Sequence, residues 1–230
     1  MIFSRGNTVP RSPEVMIRGN SIERVDTTKF LGCILDQKLD AKVHVEEICK
    51  KVSKSIYVVK RLCNQYGYHL GKLLYNAYIH SHLVYCATYW GMACKGKLKK
   101  LHRMQKRAVR ALTPPGDCPL TPENLGALPL PQLVNYSACN FIHNQLMKRG
   151  PTVLRLNMLG EGGKTRAHNS KILVIEKRST LSGKQSHYVK TAKIWNSLPA
   201  EIRTTKSCPL FKKRLKQLLL GNNSQRYMYS

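Results

Sequence analysis

Beyond Asp40, apolar residues recur at spacings of three and four: Val45, Ile48, Val52, Ile56, Val59 and Cys63. That period sets them on one side of a helix and predicts a core-facing stripe. Residues 69–82 read as a second helix, continuing towards Tyr89 after a break. A third, over 95–112, stops at Thr113-Pro114-Pro115-Gly116. Thr121-Pro122-Glu123 has the form of an N-cap followed by proline at the first helical position. Another helix is predicted over 131–148, and an amphipathic one over 209–220 through Phe211, Leu215, Leu218 and Leu219.

The first 36 residues read differently. Residues 15–18 and 21–25 flank Gly19-Asn20, which suits a hairpin turn because both residue types tolerate positive φ. The apolar run KFLGCIL (29–35) is predicted as a strand, with Gly32 marking a close approach of another backbone. A further strand is expected at 172–175, beyond a glycine-rich, linker-like stretch. The pattern predicts an α+β fold, predominantly α.

Projected at about 100° per residue, the 95–112 helix divides cleanly. Lys99, Lys100, Arg103, Lys106, Arg107 and Arg110 fall within an arc of about 120°. Leu98, Leu101, Gln105, Ala108, Val109 and Leu112 occupy another arc, and Lys97 sits at the apolar margin. Six cations along roughly 17 Å of axis suit a chain of phosphates. A solvated helix face is the ordinary reading of charge, but such faces usually carry Glu at i and i+4 to cancel repulsion. This one carries none.

Composition strengthens that reading. Thirty-nine Lys and Arg stand against twelve Asp and Glu in 230 residues, a net formal charge of +27. Fourteen Lys and Arg fall between Glu47 and Asp117 without one carboxylate. Self-repulsion of this size disfavours an isolated compact state and is relieved by a polyanion. Eight scattered cysteines and a polar N-terminus point to reduced thiols in an intracellular, non-secreted setting, nucleus or cytoplasm. The 22 residues 73–94 lack Lys, Arg, Asp and Glu. Their His, Asn and four Tyr favour a buried helix pair over a membrane span.

Several segments together resemble non-LTR retrotransposon (LINE, jockey-like) reverse transcriptases. KFLGCILDQKLDAKVHVEEICKKVSK (29–54) is similar to the segment that follows the catalytic core in that family. YNAYIHSHLVYCATYWG (75–91), KLKKLHRMQKRAVRALT (97–113), KTAKIWNSLPAEIR (190–203) and FKKRLKQLLL (211–220) continue the resemblance in order. It implies a C-terminal fragment, with 1–38 a palm remnant that begins at the MIFSRG strand. Residues 39–115 would be a helical thumb, 116–150 a helical connection, 151–185 a linker, and 186–230 a C-terminal region. Phe30, Leu31 and Gly32 would correspond to the primer grip. Met1 would be an internal methionine of a truncated element. The implied partners are RNA, an RNA–DNA hybrid or DNA, held by the backbone, together with the rest of the polymerase.

Polymerisation in such enzymes needs paired aspartates holding two divalent metals. No Asp-Asp pair occurs here: Asp26, Asp36 and Asp40 are isolated. No catalytic residue and no cofactor are therefore expected in this chain, Mg²⁺ belonging to the complete polymerase. A protein-interaction module, or a decayed remnant without selected activity, is the competing reading. Other constellations are weaker. Gly162-Gly163-Lys164-Thr165 imitates the end of a P-loop, but Met158 stands where glycine is required. His80, His82, Cys86, Cys94 and His102 lack the short paired spacing of a zinc site, so no metal site is expected. Trp195 in WNSLP reads as a structural anchor. Tyr66, Tyr68, Tyr75, Tyr78, Tyr85 and Tyr89 read as core residues with a wet edge, and base stacking is their second reading.

Overall fold

A computed structural model describes residues 1–3, 15–91, 93–149, 156–159, 170–175, 177, 179, 183 and 186–221. Helices dominate, beside two small antiparallel hairpins, so the expected α-rich α+β class holds. The chain divides into two compact units, Met1–Leu112 and Thr113–Ser230.

In the N-terminal unit, strands β1 (Met16–Ile17) and β2 (Asn20–Ser21) pair with Ile17 opposite Asn20. The turn is therefore Arg18-Gly19, one residue earlier than the sequence suggested. Both residues have positive φ, 52° and 78°, as a two-residue hairpin of this hand requires. The 29–35 run is not one strand. β3 (Thr27–Phe30) and β4 (Cys33–Asp36) form a second hairpin that reverses at Leu31-Gly32, with φ of 45° and 81°. Gly32 supplies the turn, and what approaches it is the Tyr85 side chain rather than a backbone. Met1–Phe3 form no strand, and 4–6 of the expected palm strand lie outside the described residues.

Helix α1 (Lys42–Tyr66) buries all six residues of the stripe, Val45 through Cys63. Asp40 accepts a hydrogen bond from the Lys42 amide at 2.9 Å and so steadies its entry. A 3₁₀ turn at Tyr68–Leu70 leads into α2 (Gly71–Tyr75), a π-turn at Asn76–His80 and α3 (Ser81–Val84). The break expected before Tyr89 falls at Tyr85-Cys86, where Cys86 takes φ 50°, and α4 (Ala87–Trp90) follows. Among the described residues no helix is long and apolar enough to cross a membrane. Helix α5 (Lys95–Arg110) packs against α1 and buries Leu98, Leu101, Ala108 and Val109.

In the C-terminal unit, 121–129 is a set of turns, not the helix start expected there. Thr121 bonds Asn124, the Ala127 amide returns to the Pro122 carbonyl, and Gly126 at φ 67° and Pro129 end any helical run. α6 (Leu130–Leu146) follows, with proline near its start. α7 (His187–Asn196), α8 (Ala200–Arg203) and α9 (Cys208–Gly221) complete the unit. The strand expected at 172–175 shrinks to one bridge, Leu173 with Met158. Residues 162–165 lie outside the described residues.

Trp195 is the centre of this unit. It is fully buried, and its indole N–H donates to the Lys171 carbonyl at 2.8 Å. Asn196 closes both backbone groups of Leu173, accepting from its amide at 2.9 Å and donating to its carbonyl at 2.8 Å. Arg203, only 6% exposed, donates to the carbonyls of Ser170, Asn196 and Leu198 at 2.7–2.9 Å. The segment read as linker-like is thus fastened at 170–173 by side chains of the WNSLP motif and its following arginine.

Candidate nucleic-acid interface

The candidate surface belongs to the N-terminal unit and is built on α5. Its helix is amphipathic because Leu98, Leu101, Gln105, Ala108 and Val109 share one side and are buried. Gln105, fully buried, remains satisfied by donating to the Tyr75 hydroxyl at 3.0 Å. The helix starts without a side-chain cap and with Lys95 and Lys97 in its first turn. Cations are unfavourable there, and the carboxylate that offsets Lys97 comes from another helix.

Lys99, Lys100, Arg103, Lys106, Arg107 and Arg110 are all exposed. Among the described residues none of the six is bridged to a carboxylate. The ion pair that does form uses Lys97, whose ammonium donates to Glu46 of α1. That bond holds the Glu46 carboxyl below its ordinary range and lifts the Lys97 ammonium above its own. Lys97, at the margin of the apolar arc, ties α5 to α1, while the six on the outer arc face solvent.

Phe30, Leu31 and Gly32 lie together at the tip of the β3–β4 hairpin, with Phe30 62% and Leu31 77% exposed. Their backbone is fixed by side chains the sequence did not single out for this role. The Tyr85 hydroxyl donates to the Leu31 carbonyl, and the Tyr89 hydroxyl to the Ile34 carbonyl at 3.2 Å. The buried His44 accepts from the Ile34 amide at 3.3 Å. Burial pushes the Tyr89 phenol up to about 12 and His44 below its ordinary value. Both are therefore neutral near pH 7 and act as hydrogen-bonding struts. Tyr75 is inside the core and Trp90 donates to the Tyr85 carbonyl at 2.8 Å, so much of the aromatic cluster is occupied in holding structure.

Carboxylates are dispersed, whereas the Cys33 thiol lies beside that of Cys86 and 3.8 Å from His44 Nε2. Asp26 accepts from Gln37, and Asp36 from the Asp40 amide at 3.1 Å, so these isolated acids shape the loop before α1. His82 and Cys86 do not share a helix face, since the helix ends between them. Among the described residues no three His, Cys, Asp or Glu are grouped to hold a metal ion. All eight cysteines are free thiols, and Cys33, Cys49, Cys63 and Cys139 are buried.

No protein-family model matches the chain, and no solved structure matches it. Over 120 residues, 51% of this chain, it is 24% identical to "Probable RNA-directed DNA polymerase from transposon BS" of Drosophila melanogaster. In part, the chain is similar to a transposon polymerase. It spans 13% of that protein's length.

Proposed function

We propose that this chain binds nucleic acid through backbone phosphates, as a thumb-like C-terminal portion of a retrotransposon reverse transcriptase, and does not itself polymerise. The observation that carries the proposal is the exposed row Lys99, Lys100, Arg103, Lys106, Arg107 and Arg110, beside an inner lysine that is paired. A polyanion would neutralise the row and release condensed counterions, without any need to read bases. The hairpin tip Phe30–Leu31–Gly32, bonded by Tyr85 at Leu31 and followed by Ile34 bonded by Tyr89, suits a contact with a primer end in the complete enzyme. The partial similarity to a transposon polymerase agrees with this role. Catalysis would reside in a carboxylate pair that this sequence lacks. The site of action would be inside the cell, where template and primer are found.

The test is a titration of the chain against an RNA–DNA duplex at increasing salt. With about four to six phosphates engaged, log affinity falls with log salt at a slope of roughly −3 to −5. Replacing Arg103, Lys106 and Arg107 with Ala brings that slope about two to three closer to zero. A slope near zero in the unaltered chain defeats the proposal. In primer extension with Mg²⁺ or Mn²⁺ no nucleotide is incorporated, and real extension would overturn the non-catalytic reading.

A further inference from the structure

A second basic face lies on α1. Projected along the helix, Lys50, Lys54, Lys60, Arg61 and Asn64 fall within about 60° of Tyr57 on either side. All are exposed; Glu46 shares their side of the helix one turn before Lys50 but is engaged by Lys97, and no acidic residue occurs on α1 beyond Glu47. Tyr57 stands in the middle with its side chain 70% exposed. It borders a shallow, open depression shared with Lys60, Arg61, Asn64 and Gln65. The Asn64 carboxamide is steadied there by the Tyr68 hydroxyl, which donates to it at 2.7 Å.

From this arrangement we infer that the outer face of α1 is a second nucleic-acid surface, one that takes an unpaired nucleotide by stacking its base on Tyr57. The inference rests on the phosphate-binding reading given above and adds to it a different substrate form. A lone exposed aromatic is unremarkable on a protein surface. What sets Tyr57 apart is its setting, among cations with no carboxylate within about two turns on either side. Lys50 and Lys54, one turn apart, repel each other, and a neighbouring anion removes that repulsion. The two chemistries point to the same ligand. A ring offers a π-face to any base, and the flanking cations hold the phosphates to either side. In a duplex the base faces are already stacked on each other, so Tyr57 selects for single-stranded or splayed nucleotides. The α5 row, which carries no exposed aromatic, makes no such distinction.

The experiment uses the full chain and two probes, an RNA–DNA duplex and a single-stranded oligothymidylate with 2-aminopurine at one position. Binding of the single strand quenches the 2-aminopurine emission for the unaltered chain and for Tyr57→Phe. For Tyr57→Ala the quench is lost and single-strand affinity falls roughly 10-fold, whereas duplex affinity stays the same. Because Tyr57 is on the surface, both variants keep the fold. Equal quenching and equal affinity for Tyr57→Ala overturns the inference. So does an unchanged single-strand salt dependence in Lys54→Ala/Arg61→Ala. If the duplex binds through Arg103 while the single strand does not bind, this inference falls and the α5 reading stands. If neither probe binds, both fall.

Discussion

Arg203 of the C-terminal unit and the α5 row of the N-terminal unit put positive charge to opposite uses. In the C-terminal unit Arg203 is drawn inside, where three backbone carbonyls from two chain segments take up its donors. In the N-terminal unit six cations of α5 stand in solvent, and the one pulled inward, Lys97, is matched by Glu46. A buried guanidinium that donates to three backbone carbonyls acts as a structural clasp. Exposed like charges on one helix face destabilise the isolated protein slightly and become useful when a polyanion arrives. The same residue types thus serve as a clasp in one place and as an open surface in another, and substitution separates the two uses.

Arg203→Met is expected to have the largest effect. The apolar stem is kept, but the carbonyls of Ser170, Asn196 and Leu198 lose their donor. Leaving buried acceptors unpaired lowers stability by roughly 3 kcal/mol. A denaturant melt should show the loss, while duplex binding through α5 survives under native conditions. A neutral effect on the melt would mean that Arg203 is no clasp, and the contrast between the units would collapse.

A second effect comes from His143, which is fully buried and stacked on Phe211 at 4.0 Å between ring centres. Its Nε2–H donates to the Thr205 carbonyl at 2.8 Å, and among the described residues the buried Nδ1 has no partner. Burial first, and then the cations Lys171, Arg149 and Lys212, hold its pKa below the ordinary value. Above about pH 6.5 the folded and unfolded chains both carry it neutral, and its contribution is intact. As pH falls through that value the unfolded chain takes up a proton that the folded chain refuses, so stability declines. His44 and His82 shift in the same direction. Urea midpoints at about pH 7.5 and 5.5 should therefore differ, and His143→Phe should flatten the difference without abolishing it. An unchanged slope in that variant would show that His143 titrates normally.

How much of this was legible in the sequence follows from the kind of signal each feature leaves. The α1 stripe and both arcs of α5 come from side-chain period, which survives translation into structure because the period belongs to one helix, whatever element packs on its apolar side. The placing of Lys97 at the apolar margin came from the same projection, although its partner Glu46 lies 51 positions away. Hairpin turns were less secure. Both Arg18-Gly19 and Gly19-Asn20 contain residues that accept positive φ, and a shift of one position separates the two registers. The helix expected after Thr121 failed because its proline sits in a chain of turns. Hardest of all were the clasps. Arg203, Asn196, Tyr85 and Tyr89 bond backbone carbonyls, and a carbonyl has no residue identity to betray it.

Gly32 tests whether the N-terminal unit depends on backbone conformation where the other depends on buried polar groups. At φ 81° an added Cβ would adopt the left-handed region and meet the Tyr85 hydroxyl at 3.3 Å. Gly32→Ala should lower stability by about 1 kcal/mol. Gly32→Asn, which tolerates the left-handed region better, should lower it less. Equal stability of all three chains would show that the hairpin tip is not tied into the unit.

The smallest effect discriminates best between the two uses of charge. On α5, Lys99 with Arg103, Arg103 with Arg107, and Lys106 with Arg110 stand one turn apart with like sign. Removing Arg103, Lys106 and Arg107 by alanine relieves that repulsion and also introduces a better helix former. The triple variant should therefore melt about 1 °C higher than the unaltered chain at low salt. The helix-propensity part of that gain persists at high salt, while the charge part is screened away. It should bind the duplex far more weakly under the same conditions. Opposite signs for stability and binding are what a surface held ready for phosphate requires, because a structural cation such as Arg203 loses stability when it is removed. A triple variant that melts lower than the unaltered chain would place these residues with the clasps instead.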